Sequence, residues 1–215
     1  MKKAVVFDLD GTLLNTTMDI GLALGKTLGR TFTEEQTNTF VGRGLKKAVA
    51  GAADFMGLEN PDLDALTEKL IAFYREEPVR YTQPYPGVRE LLEKLSERRI
   101  PMCVYSNKEQ DLTDTILGII FPDIRFTLVS GMHGRFESKP SPEAVDAFAA
   151  MTGLKKEDLV YVGDTEVDYR TACNSGVKCM ILTCGMRPKK SLLEAGVPEE
   201  VMIGSLAPLY AELGL

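Results

Sequence analysis

The sequence predicts an α/β fold in which a doubly wound parallel sheet carries a small all-helical unit inserted after the first strand. Two observations lead to this prediction. Short apolar segments alternate with helical or loop sequence over most of the chain, which is typical of parallel sheets with helical crossovers. The stretch from about residue 16 to 80 instead shows apolar residues at helical spacing and no convincing strand. A chain of 215 residues can hold one sizeable core with a smaller unit attached.

The predicted strands share a continuous apolar character, which indicates burial on both faces of the sheet. They span residues 4–7, 102–105, 126–129, 159–162 and 179–182, and a short final strand and helix are expected within 201–215. The inserted unit is predicted to contain three amphipathic helices, with stripes running through Ile20, Leu24 and Leu28, from Leu45 to Met56, and from Leu63 to Tyr74. Crossover helices are expected around Leu91, Ile116 and Phe148.

Composition narrows the class of protein. Apolar residues make up 44% of the chain and charged residues 26%, as in ordinary globular proteins, and no segment approaches the ~18 uncharged apolar residues of a membrane span. The net charge of −6 disfavours nucleic acid as a partner.

The apolar start ends at Asp8, too early for a secretory signal, so we expect a cytoplasmic protein. No coiled-coil repeat or interface patch specifies an oligomeric state, and we expect a monomer or weak homodimer. The four cysteines lack paired spacing and are expected to be reduced.

Two acids follow the first predicted strand. Alternation along an extended chain sends Asp8 and Asp10 to the same side, and Gly11 lets the backbone turn away sharply. Open α/β sheets bind ligands just beyond the carboxyl ends of their strands, which is where this pair is expected. The alternative is an acidic loop exposed to water.

Polar residues also follow or precede other predicted elements in the same way. Ser106 follows the second strand and suits a phosphate oxygen, although it could simply cap a helix. Lys139 precedes a stiff Pro-Ser-Pro segment that would fix its ammonium, although isolated lysines are usually solvated. Asp164 and Asp168 follow the 159–162 strand and resemble an oxygen-ligand cation site, with a plain helix cap as the alternative for Asp164.

One loop of the helical stretch carries a cation between two glycines. Gly42-Arg43-Gly44 lies at the start of a predicted helix, where free N–H groups favour anions. We expect either that Arg43 binds a substrate anion or that it is a solvated loop arginine.

The ordered set of motifs resembles the haloacid dehalogenase superfamily. FDLDGTLL near the start, YSNK, Lys139-Pro140 and VGDTEVDYRTACNSG are similar to its four motifs, in that order. The helical insertion and the Gly42-Arg43-Gly44 loop resemble the phosphoglycolate phosphatase-like members. The resemblance implies a Rossmann-like catalytic core of residues 1–15 and 81–215, with a helical cap domain of residues 16–80.

The resemblance also implies roles for the acids. Asp8 is the expected nucleophile, which forms an aspartyl phosphate, and Asp10 is the expected general acid and base. Mg²⁺ is the implied cofactor, held by Asp8, the backbone carbonyl of Asp10 and Asp164, with Asp168 positioning the waters bound to the metal.

The remaining motif residues are expected to hold the phosphoryl group. The implied donors to its oxygens are Lys139, the Ser106 hydroxyl and the backbone N–H groups near Leu9, Asp10 and Asn107. Arg43 is the expected contact to the rest of the substrate. The only histidine, His133, lies in a glycine-flanked loop and is not expected to be catalytic.

The implied function is a magnesium-dependent phosphatase of small phosphorylated metabolites, with 2-phosphoglycolate as the leading substrate. A sugar-phosphate mutase similar to beta-phosphoglucomutase would keep the same four motifs and stays open. A phospho-aspartate signalling module also uses aspartate, a hydroxyl and lysine, but its phosphorylated aspartate follows a middle strand and no helical cap is inserted.

Overall fold

A computed structural model describes residues 1–215 and contains eight strands. In chain order they are β1 (Ala4–Phe7), β2 (Leu14–Asn15), β3 (Gln83–Pro84), β4 (Met102–Glu109), β5 (Leu128–Met132), β6 (Leu159–Gly163), β7 (Lys178–Leu182) and β8 (Met202–Ile203). Six of them form one parallel sheet in the order β5-β4-β1-β6-β7-β8, and β2 pairs with β3 in a separate antiparallel ribbon.

The sheet order places β1 at the centre, between β4 and β6. The chain first builds outward from β1 to β4 and β5, and then returns to the other side of β1 to build β6, β7 and β8. This is the doubly wound arrangement, whose ligand crevice lies at the carboxyl ends of the strands where the direction of winding reverses. The predicted α/β fold class is therefore confirmed.

Ten α-helices connect or flank these strands. They are α1 (Thr17–Leu28), α2 (Glu34–Phe40), α3 (Leu45–Met56), α4 (Leu63–Glu76), α5 (Val88–Glu97), α6 (Gln110–Ile120), α7 (Glu143–Thr152), α8 (Glu166–Ser175), α9 (Lys189–Glu194) and α10 (Ala207–Leu213). None of these helices is sufficiently long and apolar to cross a membrane.

The central strand contacts a hydrophobic cluster on each face of the sheet. Val5 and Phe7 belong to the larger cluster, while Ala4 and Val6 belong to the smaller one, and all four are fully buried. Because successive side chains of a strand point to opposite faces, burial on both faces requires an unbroken apolar run. This explains the composition of the first predicted strand.

Helices α1 to α4 lie between β2 and β3 and pack against one another. The sequence predicted three of them, and α2 is the addition. Its sequence, EEQTNTF, has no apolar stripe, so periodicity could not reveal it. A capping box does mark its start: Thr33 accepts from the N–H of Gln36, and the Gln36 side chain accepts from the N–H of Thr33.

Two strands differ from the prediction by more than one residue at a boundary. β4 continues past Tyr105 to Glu109, and β5 runs over Leu128–Met132 rather than 126–129. The pairing partner sets these limits, since Cys103 lies opposite Leu128 and the register shifts between Tyr105 and Glu109. Apolar character alone does not report where a neighbouring strand supplies hydrogen bonds.

Candidate active site

The first predicted acid lies directly beyond the central strand. Asp8 follows β1 and is 5% exposed. Its Oδ1 accepts hydrogen bonds from the N–H of Leu9 at 2.7 Å and from the Lys139 ammonium at 2.7 Å. Oδ2 has no hydrogen-bond partner within the protein. The carboxylate is therefore held by one oxygen and open at the other.

A sharp turn separates Asp8 from the second acid. Gly11 has a φ of +83°, and a Cβ at this position would overlap the carboxylate of Asp164. Glycine is required here for both reasons, the left-handed backbone and the close approach. The turn brings Asp10 back towards β4, where its Oδ1 accepts from Thr16 Oγ1 at 2.7 Å and from Lys108 Nζ at 3.0 Å.

Lys139 lies between two carboxylates. Its ammonium is 2.7 Å from Asp8 Oδ1 and 2.8 Å from Asp168 Oδ1, and its side chain is 2% exposed. Burial disfavours the charged form, but the charges of Asp168 and Asp8 outweigh it and raise the pKa of Lys139 above its usual value. Lys139 is therefore a permanent cation next to Asp8.

Asp168 has both oxygens occupied. Oδ1 accepts from Lys139 and from the Tyr161 hydroxyl at 3.0 Å, and Oδ2 accepts from the N–H groups of Asp164 and Thr165 and from the Thr165 hydroxyl. Burial opposes ionisation, but the Lys139 charge and these hydrogen bonds keep the pKa of Asp168 below its usual value. Asp168 is thus suited to orienting its neighbours.

Asp164 is fully buried, and its carboxylate accepts fewer hydrogen bonds than that of Asp168. Its Oδ2 accepts from the N–H of Met186 at 2.7 Å, and its Oδ1 has only a long contact of 3.4 Å to the Thr12 hydroxyl. Burial, followed by the charge of Asp168, raises the pKa of Asp164 to about 7. Burial, followed by the charges of Asp168 and Asp164, likewise raises the pKa of Asp8, against the effect of Lys139.

These acids fit a hard divalent cation. Asp8, Asp164 and Asp168 offer carboxylate oxygens within 4.8 Å of one another. Like charges about 4 Å apart repel by roughly 4 kcal/mol at an effective dielectric near 20. Lys139 balances only one of the three charges, so a divalent cation would bring the group close to neutrality. Mg²⁺ prefers such oxygen ligands and is bound by one or two carboxylates.

The residues predicted to contact the phosphoryl group lie near Asp8, but they differ in whether their hydrogen-bond donors are free. Ser106 is buried, and its oxygen accepts from the N–H of Lys108 at 3.1 Å, which leaves its own hydroxyl hydrogen to donate. The side chain of Asn107 is occupied, since its Oδ1 accepts from the N–H of Lys139 at 2.9 Å. The N–H of Leu9 is used by Asp8.

Arg43 lies outside the innermost site. Its Nε and Nη2 contact Glu166 Oε1 at 2.7 and 2.5 Å, and its side chain is half exposed. It borders an outer groove of about 480 Å³ that also reaches Asn107 and Lys139. Its Nη1 has no protein partner and remains available to an anion in that groove.

A small cavity lies between the two acids and the helical segment, which is residues 16–80 and contains α1 to α4. Its volume is about 20 Å³, which is room for about one water molecule. Six polar residues line the side formed by the sheet: Asp8, Asp10, Ser106, Asn107, Lys108 and Lys139. The opposite side is formed by Ile20, Val41, Gly42, Gly44, Leu45 and Ala48. The helical segment therefore covers the acids with an apolar surface.

Sequence reasoning assigned no role to several residues that hold this arrangement. Thr16 and Lys108 contact Asp10, and Tyr74 contacts Lys108. Arg187 donates to the backbone carbonyls of Asn38 and Val41, which fastens the helical segment to the loop after β7. Lys108 could have been noticed because it ends the YSNK motif, whereas the others lie outside any motif.

The chain was compared with known protein families. The family model described as "Haloacid dehalogenase-like hydrolase" matches residues 5–182. The chain belongs to this haloacid dehalogenase-like hydrolase family. The resemblance predicted from the four motifs is therefore confirmed.

Similar members of the haloacid dehalogenase-like hydrolases include the phosphoglycolate phosphatase of Aquifex aeolicus, which is 32% identical over 187 residues that cover 85% of each chain. A phosphoglycolate phosphatase of Cereibacter sphaeroides is 33% identical over 192 residues, covering 85% of this chain and 86% of that one. A solved structure of a candidate phosphoglycolate phosphatase from Lactobacillus delbrueckii subsp. bulgaricus has a TM-score of 0.86, 26% identity and full coverage of both chains.

Proposed function

We propose that this protein is a magnesium-dependent phosphatase that hydrolyses small phosphorylated metabolites through an aspartyl phosphate on Asp8. The observation that carries the proposal is the unequal setting of two acids at one cavity. Asp8 faces the Lys139 cation with Oδ2 open, whereas Asp10 is anchored through Oδ1 by Thr16 and Lys108. Two carboxylates in different environments can perform two different steps.

In the first step, Asp8 Oδ2 attacks the phosphorus atom and the bond to the leaving oxygen breaks. Asp10, in its protonated form, gives its proton to that oxygen, so the leaving group departs as an alcohol. In the second step, the Asp10 carboxylate takes a proton from water, and the oxygen of that water attacks the phosphorus of the aspartyl phosphate. This step releases inorganic phosphate and returns Asp8 as a carboxylate and Asp10 as an acid.

Lys139 and Ser106 act on the phosphoryl oxygens in both steps. The Lys139 ammonium is already fixed beside Asp8, and the Ser106 hydroxyl retains a free hydrogen, so both donate without reorganising as charge spreads. Asp8, Asp164 and the backbone carbonyl of Asp10 would hold Mg²⁺, which would supply positive charge to offset the phosphate dianion. Asp168 keeps Lys139 and the loop around Asp164 in place.

We further propose that the helical segment is a cap domain that moves during the cycle, with boundaries at residues 16–80. A cavity of about 20 Å³ is too small for a phosphate ester, so substrate entry requires the segment to separate from the sheet. Contacts that must open for this include the Arg43 pair with Glu166 and the Arg187 bonds to Asn38 and Val41. The Arg75 pair with Asp111 and the hydrogen bond of Lys108 to Tyr74 cross the same boundary.

Support for a small substrate comes from the cap side of the cavity and from the relatives. Ile20, Val41, Leu45 and Ala48 give this side no polar side chain that could bind the hydroxyl groups of a sugar. This favours a phosphatase of compact esters over a sugar-phosphate mutase. Since several relatives are phosphoglycolate phosphatases, 2-phosphoglycolate is the substrate we propose first. We expect a cytoplasmic monomer or weak homodimer on sequence grounds alone.

The test is a screen of phosphate monoesters with the purified protein and Mg²⁺. We expect release of free phosphate, with 2-phosphoglycolate among the best substrates and Asp8→Asn inactive. Asp54→Asn, on the exposed side of α3, is the matched control and should retain full activity. Conversion of a sugar phosphate to its isomer without phosphate release would contradict the proposal, as would no reaction with any ester.

A further inference from the structure

A lysine ammonium is buried beside the acid–base group. The Lys108 side chain is 0% exposed, and its Nζ lies 3.0 Å from Asp10 Oδ1. Its other hydrogen-bond partner is the Tyr74 hydroxyl, at 2.9 Å. Removing an ammonium from water is unfavourable unless its N–H groups are paired. The position of Lys108 therefore depends on both partners.

The three residues come from three separate parts of the chain. Asp10 follows β1, Lys108 is in β4, and Tyr74 is in α4 of the helical segment. Tyr74 is 1% exposed, and the centre of its ring is 4.5 Å from Lys108 Nζ. It is the one side chain of α1 to α4 that hydrogen-bonds Lys108. A continuous chain of contacts thus runs from the helical segment to Asp10.

These contacts leave Asp10 anchored on one side only. Both of its donors, Thr16 and Lys108, bind Oδ1, and Oδ2 has no hydrogen-bond partner in the protein. Asp10 also lines the cavity next to Asp8. A general acid must lie within hydrogen-bond reach of the atom that it protonates, so the anchoring of Oδ1 determines whether Oδ2 is in place.

We propose that Tyr74 and Lys108 are positioning residues for Asp10, through which the seated helical segment sets the orientation of the acid–base group. This inference rests on the proposed phosphatase function. When α4 is seated, Tyr74 fixes Lys108 and Lys108 fixes Asp10. When α4 moves away, Lys108 loses one of its two partners and Asp10 loses that restraint. Proton transfer is thereby confined to the covered site.

The first test removes one hydroxyl group. Tyr74→Phe keeps the ring but deletes the contact to Lys108. The matched control is Tyr81→Phe, at an exposed position in the return linker, which is the segment between α4 and β3 (residues 77–82). With an alkyl phosphate, Tyr74→Phe should slow phosphoenzyme formation and lower kcat about tenfold, while KM changes less than about twofold. With p-nitrophenyl phosphate, whose leaving group needs little protonation, phosphoenzyme formation should stay within about twofold. Tyr81→Phe should match the unsubstituted protein with both substrates.

A double-mutant cycle separates positioning from a general structural effect. In an Asp10→Asn background, Tyr74→Phe should not slow phosphoenzyme formation further, because the group that it positions is already gone. Equal slowing in both backgrounds, or equal slowing with both substrates, would overturn the proposal. Lys108→Met, which keeps the length of the side chain, should give the same pattern and replaces Tyr74→Phe if that variant does not fold.

These experiments distinguish failure of the positioning role from failure of the proposed phosphatase function. If the protein is not a phosphatase, the unsubstituted chain itself releases no phosphate. If only the positioning role is wrong, the unsubstituted chain is active and Tyr74→Phe behaves like Tyr81→Phe with every substrate.

Discussion

The ammonium of Lys139 lies 2.7 Å from Oδ1 of Asp8, and both side chains are buried. No other cation contacts Asp8, so this pair sets the charge next to the proposed nucleophile. Replacing Lys139 would leave Asp8 and Asp168 as uncompensated buried carboxylates. The consequences should be visible in both stability and turnover.

Lys139→Met should lower the free energy of unfolding by about 3–5 kcal/mol, the usual effect of removing one partner of a buried ion pair. It should lower kcat by about 10²–10³, because a fixed donor to the phosphoryl oxygens is lost. Urea denaturation and phosphate release measure the two effects. Lys155→Met, at an exposed position, should change neither. Wild-type values for the Lys139 variant would refute its assigned role.

Asp19 joins the start of α1 to the return linker. Its carboxylate accepts from the N–H groups of Arg80, Tyr81 and Thr82 and from the Thr82 hydroxyl, and it is 3% exposed. Asp19→Asn should lower the free energy of unfolding by about 1.5–3 kcal/mol, since the amide replaces one acceptor by a donor that faces these N–H groups. Denaturation of this variant beside Asp54→Asn provides the measurement. A loss no larger than that of the control would show that the linker is held by other contacts.

Arg43 is expected to bind a carboxylate group of the substrate. Its Nε and Nη2 contact Glu166, and its Nη1 is free to donate a charged hydrogen bond, which is worth about 1.5–3 kcal/mol. Arg43→Ala should therefore lower kcat/KM for 2-phosphoglycolate roughly 10- to 150-fold and affect an uncharged aryl phosphate little.

Glu166→Gln is the matched control for Arg43→Ala, because it weakens the same ion pair from the other side. Glu166→Gln should lower kcat/KM to a similar extent for 2-phosphoglycolate and for the aryl phosphate. This decrease should be smaller than the one that Arg43→Ala causes with 2-phosphoglycolate. If the two variants behave alike, Arg43 serves only to hold the helical segment against the sheet.

Metal dependence provides a separate prediction. Chelation should stop turnover, Mg²⁺ should restore it, and Ca²⁺ should inhibit, because it takes more ligands at longer distances. Asp164→Ala should weaken Mg²⁺ binding, measured calorimetrically, more than Asp168→Ala does. The reason is that Asp168 already uses both oxygens for protein donors, whereas Asp164 Oδ1 has only a long contact to Thr12. If Asp168→Ala weakens Mg²⁺ binding more than Asp164→Ala does, Asp168 and not Asp164 is the metal ligand. Activity that chelation does not affect would exclude a magnesium-dependent mechanism.

The strand ends carry the clearest signal of the site in the sequence. Asp8, Asp10, Lys139 and Asp164 were predicted to converge because buried strands are recognisable as apolar runs, and parallel strands bring their carboxyl ends to one edge. The structure brings these four residues together at that edge. Their chemical roles remain predictions.

The contacts between the helical segment and the sheet could not be predicted. Arg43 and Glu166 are separated by 123 positions, and Tyr74 and Lys108 by 34. Whether such side chains meet depends on how the helices sit on the sheet, which no local pattern reports. Helix α2 was missed for a different reason, since its burial depends on Thr37 and Phe40 rather than on a full apolar stripe.

In the proposed mechanism, Asp8 becomes phosphorylated during turnover. Its most direct test is rapid quenching with an activated aryl phosphate, followed by mass spectrometry of the labelled peptide. Asp10→Asn should accumulate phosphate on the peptide containing Asp8, because the second step loses its base while a good leaving group spares the first. Asp8→Asn should carry no label. Equal labelling of the two variants, or phosphate on another residue, would contradict the account.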